Sequence, residues 1–416
     1  MLKNLLSQMI LFPCWPQKLI SSLLDKANFN GPFINGSVCK SLKFGLCLIV
    51  ACFFCFGLVA NMALAREYSS SGTVSIKPYL DRVIKKVTKF RLNNGMKFIV
   101  LERHNAPVIS FVIYADVGGA NEPDGKTGVA HYLEHLAFKG TKKIGTKDYE
   151  AEKPILDKLD QIFAEIQQGS MDGESEKVAK LKADFEKTQK LASEYVNQNE
   201  FSKIVKQAGG VGLNAATSAD YTQYFYSLPA NKLELWMSLE SERFLEPVFR
   251  EFYKEKQVIL EERRSRTENS PVAQMLEQFL SKAFLVHPYG RPVIGYLEEI
   301  QNLTRENVRD FFDTHYVPSN LTVGIVGDVN PKEVKKLAKI YFGRYKVKQG
   351  PPKLNIVEPI QTATREITME LPSQPWYIEG YHRPAVNHPD SVIYDMITSI
   401  LSCLLYTSDA ADERLG

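Results

Sequence analysis

His131-Tyr132-Leu133-Glu134-His135-Leu136-Ala137-Phe138-Lys139-Gly140-Thr141 sets two imidazoles and a carboxylate within little more than one helical turn. Residues four apart on a helix lie one above the other, so the rings of His131 and His135 can reach one ion while Glu134 leans over the same patch. This is the equipment of a hydrolytic zinc site, in the reverse of the commoner His-Glu-x-x-His order. The competing reading is an exposed helix that happens to carry an i,i+4 histidine pair. A catalytic zinc with three protein ligands leaves one position for water, so a further carboxylate or histidine must come from elsewhere in the chain.

Phe252 to Arg263 reads as a helix, rich in helix formers and stopped by Asn269-Ser270-Pro271. Glu255, Val258, Ile259 and Glu262 share one face of it. Glu255 and Glu262, two turns apart, flank an apolar stripe expected to be buried, and Glu261 points to solvent. Carboxylates beside a buried stripe need partners. A salt-bridged surface helix is the plainer alternative.

These residues, with Phe138 and the Lys139-Gly140-Thr141 tail, resemble the inverted-motif zinc peptidases, the family of pitrilysin, insulin-degrading enzyme and mitochondrial processing peptidase. The resemblance runs from about Val87 to Ser402 and is closest to bacterial members. It implies that His131, His135 and Glu262 bind zinc, that Glu134 is the general base, and that Glu255 is an auxiliary carboxylate behind the ligands. Gly212 to Phe225 is similar to the family's active-site edge strand, where main-chain groups around Asn214 and Ala215 pair with an extended peptide and Phe138 adjoins the substrate. An ordinary hairpin strand satisfies the alternation near Tyr224 and Tyr226 equally well. The implied activity is zinc-dependent endopeptidase hydrolysis of extended or unfolded peptides. The implied partners are the peptide substrate and a related subunit in a homo- or heterodimer. A non-catalytic peptide-binding or scaffold subunit is the other class of function, although such relatives usually lose motif residues that are all present here.

The other histidines, His104, His287, His315, His382 and His388, read as capping, loop or packing residues. Gly209-Gly210-Val211-Gly212 lacks the Lys and Ser or Thr of a phosphate loop, which argues against nucleotide hydrolysis. With 416 residues, 44% of them hydrophobic, and a formal charge of +3, the chain is globular, and nothing in its charge calls for nucleic acid. Cys14, Cys39, Cys47, Cys52 and Cys55 precede the expected catalytic domain and Cys403 follows it, so that domain needs no disulfide.

Lys40 and Lys43 precede an apolar run from Phe44 to Ala60, and Ala63-Leu64-Ala65 offers a signal-peptidase site; residues 1–65 therefore read as a leader and signal peptide, exporting the chain to the periplasm or medium. A retained membrane anchor is the competing reading. A linker is expected over 66–85 and an α+β catalytic domain over 86–346, its mainly antiparallel sheet backed by helices. Within that domain, 150–200 reads as an inserted helical hairpin, with Ile155, Leu159, Ile162 and Ile166 on one face and a break at Gly169 to Gly173. A Pro-rich linker over 347–362 leads into the start of a second, similar domain at 363–402. Strands are expected there at Arg365 to Leu371 and Trp376 to Tyr381, followed by a helix from Ser391. Residues 403–416 read as a non-native, adaptor-derived tail. The Arg and Tyr that the resemblance places after the first helix of the second domain are absent, so a chain of this extent is expected to bind zinc more readily than to turn over peptide.

Overall fold

The computed structural model describes residues 76–401. The expected leader and the 403–416 tail lie outside the described residues. Residues 76–378 form one unit and the residues from Glu379 onward belong to another. In chain order the elements are α1 (Lys77–Lys85), β1 (Val87–Arg91), β2 (Lys97–Glu102), β3 (Val108–Ala115), α2 (Val129–Leu136), α3 (Tyr149–Met171), α4 (Ser175–Ser193), α5 (Glu200–Gln207), β4 (Val211–Thr217), β5 (Thr222–Pro229), α6 (Leu233–Leu245), α7 (Phe252–Arg263), α8 (Pro271–Ala283), α9 (Leu297–Asn302), α10 (Arg305–His315), β6 (Leu321–Gly327), α11 (Pro331–Tyr341) and, in the second unit, α12 (Ser391–Leu401).

The six strands form one sheet in the order β1-β2-β6-β3-β5-β4. Every pairing is antiparallel except β2 with β6. The α+β, mainly antiparallel architecture expected from the sequence is what the structure shows. Alternation places one set of side chains inside: Phe98 and Val100 of β2, Tyr224, Tyr226 and Leu228 of β5, and Leu321, Val323 and Ile325 of β6 are all buried. Helices cover that face. Trp236 of α6 stacks on Phe111 of β3 at 4.3 Å between ring centres, and Phe342 after α11 meets Phe98 edge-on at 5.7 Å. Gly324 stands opposite Val112, where a Cβ would come within 2.7 Å of the valine Cγ1.

The long hairpin is present as α3 and α4, turning at Asp172 to Glu174, at the end of the break expected over Gly169 to Gly173. Its inward face is Glu152, Leu156, Leu159 and Ile162, so Ile155 and Ile166 lie to the side of the stripe expected for them. Residues 77–85, expected to be linker, are helical, because their apolar residues recur at spacings of three and four.

The strands expected at 365–371 and 376–381 do not form. No described strand pairs with either segment, and alternation without a ladder to join leaves the backbone polar groups to water. The connecting chain is instead pinned by side chains. The Glu358 carboxylate accepts hydrogen bonds from the backbone N–H groups of Leu285, Val286 and His287 at 2.8, 3.0 and 2.8 Å, and Arg365 donates to the carbonyls of Lys282 and Ala283 at the end of α8. Those N–H groups, led by that of His287, hold the Glu358 carboxyl down to about 2. Its folded pKa lies below the ordinary carboxylate value, so the contact is present above about pH 4 and is lost as pH falls through about 2. Glu358→Ala is expected to speed hydrogen exchange of the Leu285, Val286 and His287 amides at neutral pH; unchanged exchange would show that the carboxylate does not hold them.

Candidate metal centre

The site is built by α2 and α7, and the way α2 starts decides where its histidines sit. Gly128 enters with φ +86°, and a Cβ there would fall 2.6 Å from the carbonyl oxygen of Ile294, so the turn into the helix requires glycine. The buried Glu122 accepts from the backbone N–H groups of Gly128 (2.9 Å) and Ala130 (2.8 Å), satisfying two donors that the helix start leaves open. Burial pushes this carboxyl up to about 8 despite those bonds. Val129, Ala130, Tyr132, Leu133 and Leu136 turn inward, which leaves His131, Glu134 and His135 together on the half-buried side.

Tyr132 registers α2 against α7. Its ring stacks on Phe252 at 4.5 Å and its hydroxyl donates to the Phe252 carbonyl. Along α7, Ile259 is fully buried, Glu255 is buried and Glu262 partly so, and Glu261 faces solvent as expected. Val258, expected in the buried stripe, is 47% exposed. The apolar anchoring of α7 comes from Phe252, Tyr253 and Ile259 instead.

His131, His135 and Glu262 come together: one ligand atom from each lies within 4.8 Å of the others. Nε2 of His131 is 3.8 Å from Glu262 Oε1, and Nε2 of His135 is 3.4 Å from Glu262 Oε2. Among the described residues this is the one group of three or more His, Cys, Asp or Glu with such convergence. Glu255 occupies the other side of His135, with Oε1 3.0 Å from Nδ1, while its Oε2 is 2.6 Å from Lys139 Nζ. That carboxylate fixes which imidazole nitrogen faces Glu262, the usual arrangement behind a metal-bound histidine. Two imidazole nitrogens and a carboxylate oxygen, partly buried and convergent, suit zinc.

Charge follows the geometry. Burial, then the neighbouring His135, lowers His131 to about 4, so it is neutral at pH 7. Burial acts to lower His135 too, but hydrogen bonds with Glu255 and Glu262 outweigh it and raise this ring to about 9. The hydrogen bond with His135 leads in holding Glu262 below the usual carboxylate range. Glu134 behaves differently. Burial raises its pKa, and its Oε2 accepts from Thr217 Oγ1 at 2.5 Å instead of joining the three ligands.

Thr217 ends β4, which is an edge of the sheet as expected. Asn214 and Ala215 pair with Phe225 and Tyr224 of β5, after a bulge that includes Gly212 at φ +68°. The Ala215 N–H is taken by the Asn214 side-chain oxygen at 2.9 Å. Phe138 is half-buried among Phe201, Tyr224 and the Arg243 guanidinium, 4.8 Å from its ring centre. Thr217, Tyr132, Lys139 and Glu122 are the contributors that sequence reasoning missed. Only Glu122 left a local sign, an acidic side chain shortly before a helix start.

The sequence matches the family model described as insulinase (peptidase family M16) over residues 97–153 and 185–296, and that described as peptidase M16 inactive domain over 302–407. The fold, the convergent His-His-Glu group and these matches, which together span more than half of the chain, place the protein in one class: the chain belongs to the M16, or insulinase, family. It is 31% identical over 336 residues to the zinc protease PqqE of Helicobacter pylori, covering 79% of this chain and 64% of that protein. It is 24% identical over 272 residues to the probable mitochondrial-processing peptidase subunit beta of Schizosaccharomyces pombe, covering 64% of this chain and 47% of that one. A crystal structure of a protease from Helicobacter pylori superposes with a TM-score of 0.53 at 31% identity, over 67% of this chain and 56% of that one. The chain thus spans between about half and two thirds of the length of these relatives.

The first match skips 154–184, which lies within the α3–α4 hairpin. The second begins at 302, although β6 runs between β2 and β3 in the sheet. All of His131, Glu134, His135 and Glu262 precede that second match. Among the described residues no helix is long and apolar enough to cross a membrane.

Outer carboxylates of metal-bound histidines typically contribute about 10–100-fold in metal affinity. Glu255→Gln is therefore expected to weaken zinc binding by that amount without abolishing it, read by competition with a chromogenic chelator. An unchanged affinity would remove Glu255 from any part in orienting His135.

Proposed function

We propose that this chain carries the metal half of a zinc endopeptidase that cuts extended or unfolded peptides. The convergence of His131, His135 and Glu262 beside an unliganded Glu134 carries the reading. The two Nε2 atoms and the Glu262 carboxylate would hold the ion. Bound there, zinc supplies the positive charge that acidifies water and polarises a carbonyl. Glu134 then acts as general base and as acid: its carboxylate takes a proton from the attacking water and returns it to the departing amine. Its partial burial suits both halves of that cycle, since a raised pKa lets it give the proton back.

The β4 edge supports an extended substrate. The Ala215 N–H bonds to Asn214's own side chain and not to β5, so a peptide strand that displaces that carboxamide gains a main-chain donor. The Thr217 to Glu134 hydrogen bond ties this edge to the general base. Phe138, on the turn after the motif helix, offers an apolar surface to a substrate side chain. A related subunit, identical or not, and export from the cytoplasm complete the proposal; the first is suggested by the processing-peptidase relatives and the second by Phe44 to Ala65.

The deciding experiment is hydrolysis of an internally quenched, unstructured peptide by the whole protein, with chelator and zinc add-back. Cleavage that is lost on chelation and restored by zinc supports the enzyme. Stoichiometric zinc together with peptide binding, but no cleavage in the presence of any related subunit, would establish the binding-subunit alternative.

A further inference from the structure

We propose that α1 is an interfacial helix that lays its apolar face on an anionic lipid surface. Ile76, Tyr79, Leu80, Val83 and Ile84 follow one another at spacings that keep them together. At about 100° per residue they fall within an arc of about 140°. Lys77, Asp81, Arg82, Lys85 and Lys86 take the remainder of the circumference. Among the described residues nothing buries the apolar side: Ile76 is 69% exposed, Tyr79 64%, Leu80 42% and Ile84 53%, Val83 is partly covered, and no residue of α1 is buried. The contrast with α2 is direct, since that helix is no longer yet buries five of its eight residues. An amphipathic helix of this length is marginal in water by itself and gains its stability by burying the apolar stripe.

Charge selects what does the burying. From Lys77 to Arg91 the chain carries Lys77, Arg82, Lys85, Lys86, Lys89 and Arg91 against the single acid Asp81. An apolar patch on another protein would match the stripe but not this excess of positive charge. A bilayer containing anionic headgroups matches both: acyl chains receive Tyr79, Leu80 and Ile84, while the basic residues lie at headgroup level. Lysine stems can also snorkel along the boundary.

Placement in the fold agrees. The helix leads into β1, at one edge of the sheet, whereas β4 is the opposite edge. Five strand spacings separate them, roughly 24 Å. A lipid surface at α1 therefore leaves the β4 edge and Glu134 open to soluble peptides. This surface is independent of the peptidase reading, and each can fail without the other.

The test is flotation of the purified full chain with vesicles of phosphatidylcholine alone or of phosphatidylcholine and phosphatidylglycerol in a roughly three-to-one mixture. Binding to the mixed vesicles is expected to exceed binding to neutral ones by about tenfold and to fall in high salt. The double variant Leu80→Asp with Ile84→Asp should lower it by about tenfold, and Lys85→Glu with Lys86→Glu should abolish the preference for the anionic vesicles. All four side chains are exposed, so an unchanged melting temperature is expected and checks that each variant folds. Equal binding of the parent to both vesicles, no binding to either, or insensitivity to both variants overturns the proposal. A shift in oligomeric state with Leu80→Asp and Ile84→Asp, without vesicle binding by the parent, would assign the face to a protein instead.

Discussion

Glu134→Gln is expected to keep one zinc per chain while peptide turnover falls by about 10²–10⁴, the range that a positioned general base supplies. The replacement is nearly isosteric, and it preserves a side-chain oxygen able to accept the Thr217 hydroxyl, so the end of β4 should stay in place. What it removes is the ability to take a proton. Glu134 lies outside the His131-His135-Glu262 group, so metal content should not follow activity. A variant that retains zinc and cleaves at the parental rate would take Glu134 out of its role. A variant that loses zinc as well would place its carboxylate among the ligands. Measuring bound metal and kcat on the same preparation separates these outcomes, and a kcat effect at constant KM would locate the loss in the chemical step rather than in peptide binding.

The part of this site legible in the sequence is the part that helical spacing determines. His131, Glu134 and His135 lie within five residues, and Glu255 and Glu262 lie seven apart on one helix, so their faces follow from 3.6 residues per turn. Alternation likewise disclosed β5, whose Tyr224, Tyr226 and Leu228 all turn inward and are buried. The position of β6 between β2 and β3 was not legible, because pairing of residues more than two hundred positions apart leaves no local mark. The same holds for Tyr132 meeting Phe252, for Thr217 reaching Glu134 and for Lys139 joining Glu255. Residues 365–381 show the converse error: they alternate, yet a strand exists only when a neighbour accepts its hydrogen bonds, and none of the described strands does so. Val258 fails for a related reason, since one face of α7 is shared between a buried anchor at Ile259 and an open side next to the ligands.

Glu262→Gln is expected to lose zinc altogether under conditions in which the parent holds one per chain, a larger effect than the roughly 100-fold upper range for outer carboxylates. The substitution removes the only anionic member of the ligand group and the carboxylate that Nε2 of His135 faces at 3.4 Å. Proton and metal compete for that same nitrogen. His135 is held up to about 9, so on lowering pH from that value each unit should cost about tenfold in apparent zinc affinity, one proton being displaced per ion bound. His131 adds no such dependence near neutrality, because its pKa lies near 4 and it is already deprotonated there. In Glu262→Gln one of the two carboxylates raising His135 is gone, so whatever metal binding survives should show a midpoint displaced to lower pH. Zinc titration of both proteins from pH 6 to pH 9 checks the loss and the displacement together. Full zinc occupancy in Glu262→Gln would break the three-ligand assignment, and Glu134 would then be the carboxylate to examine as the third ligand.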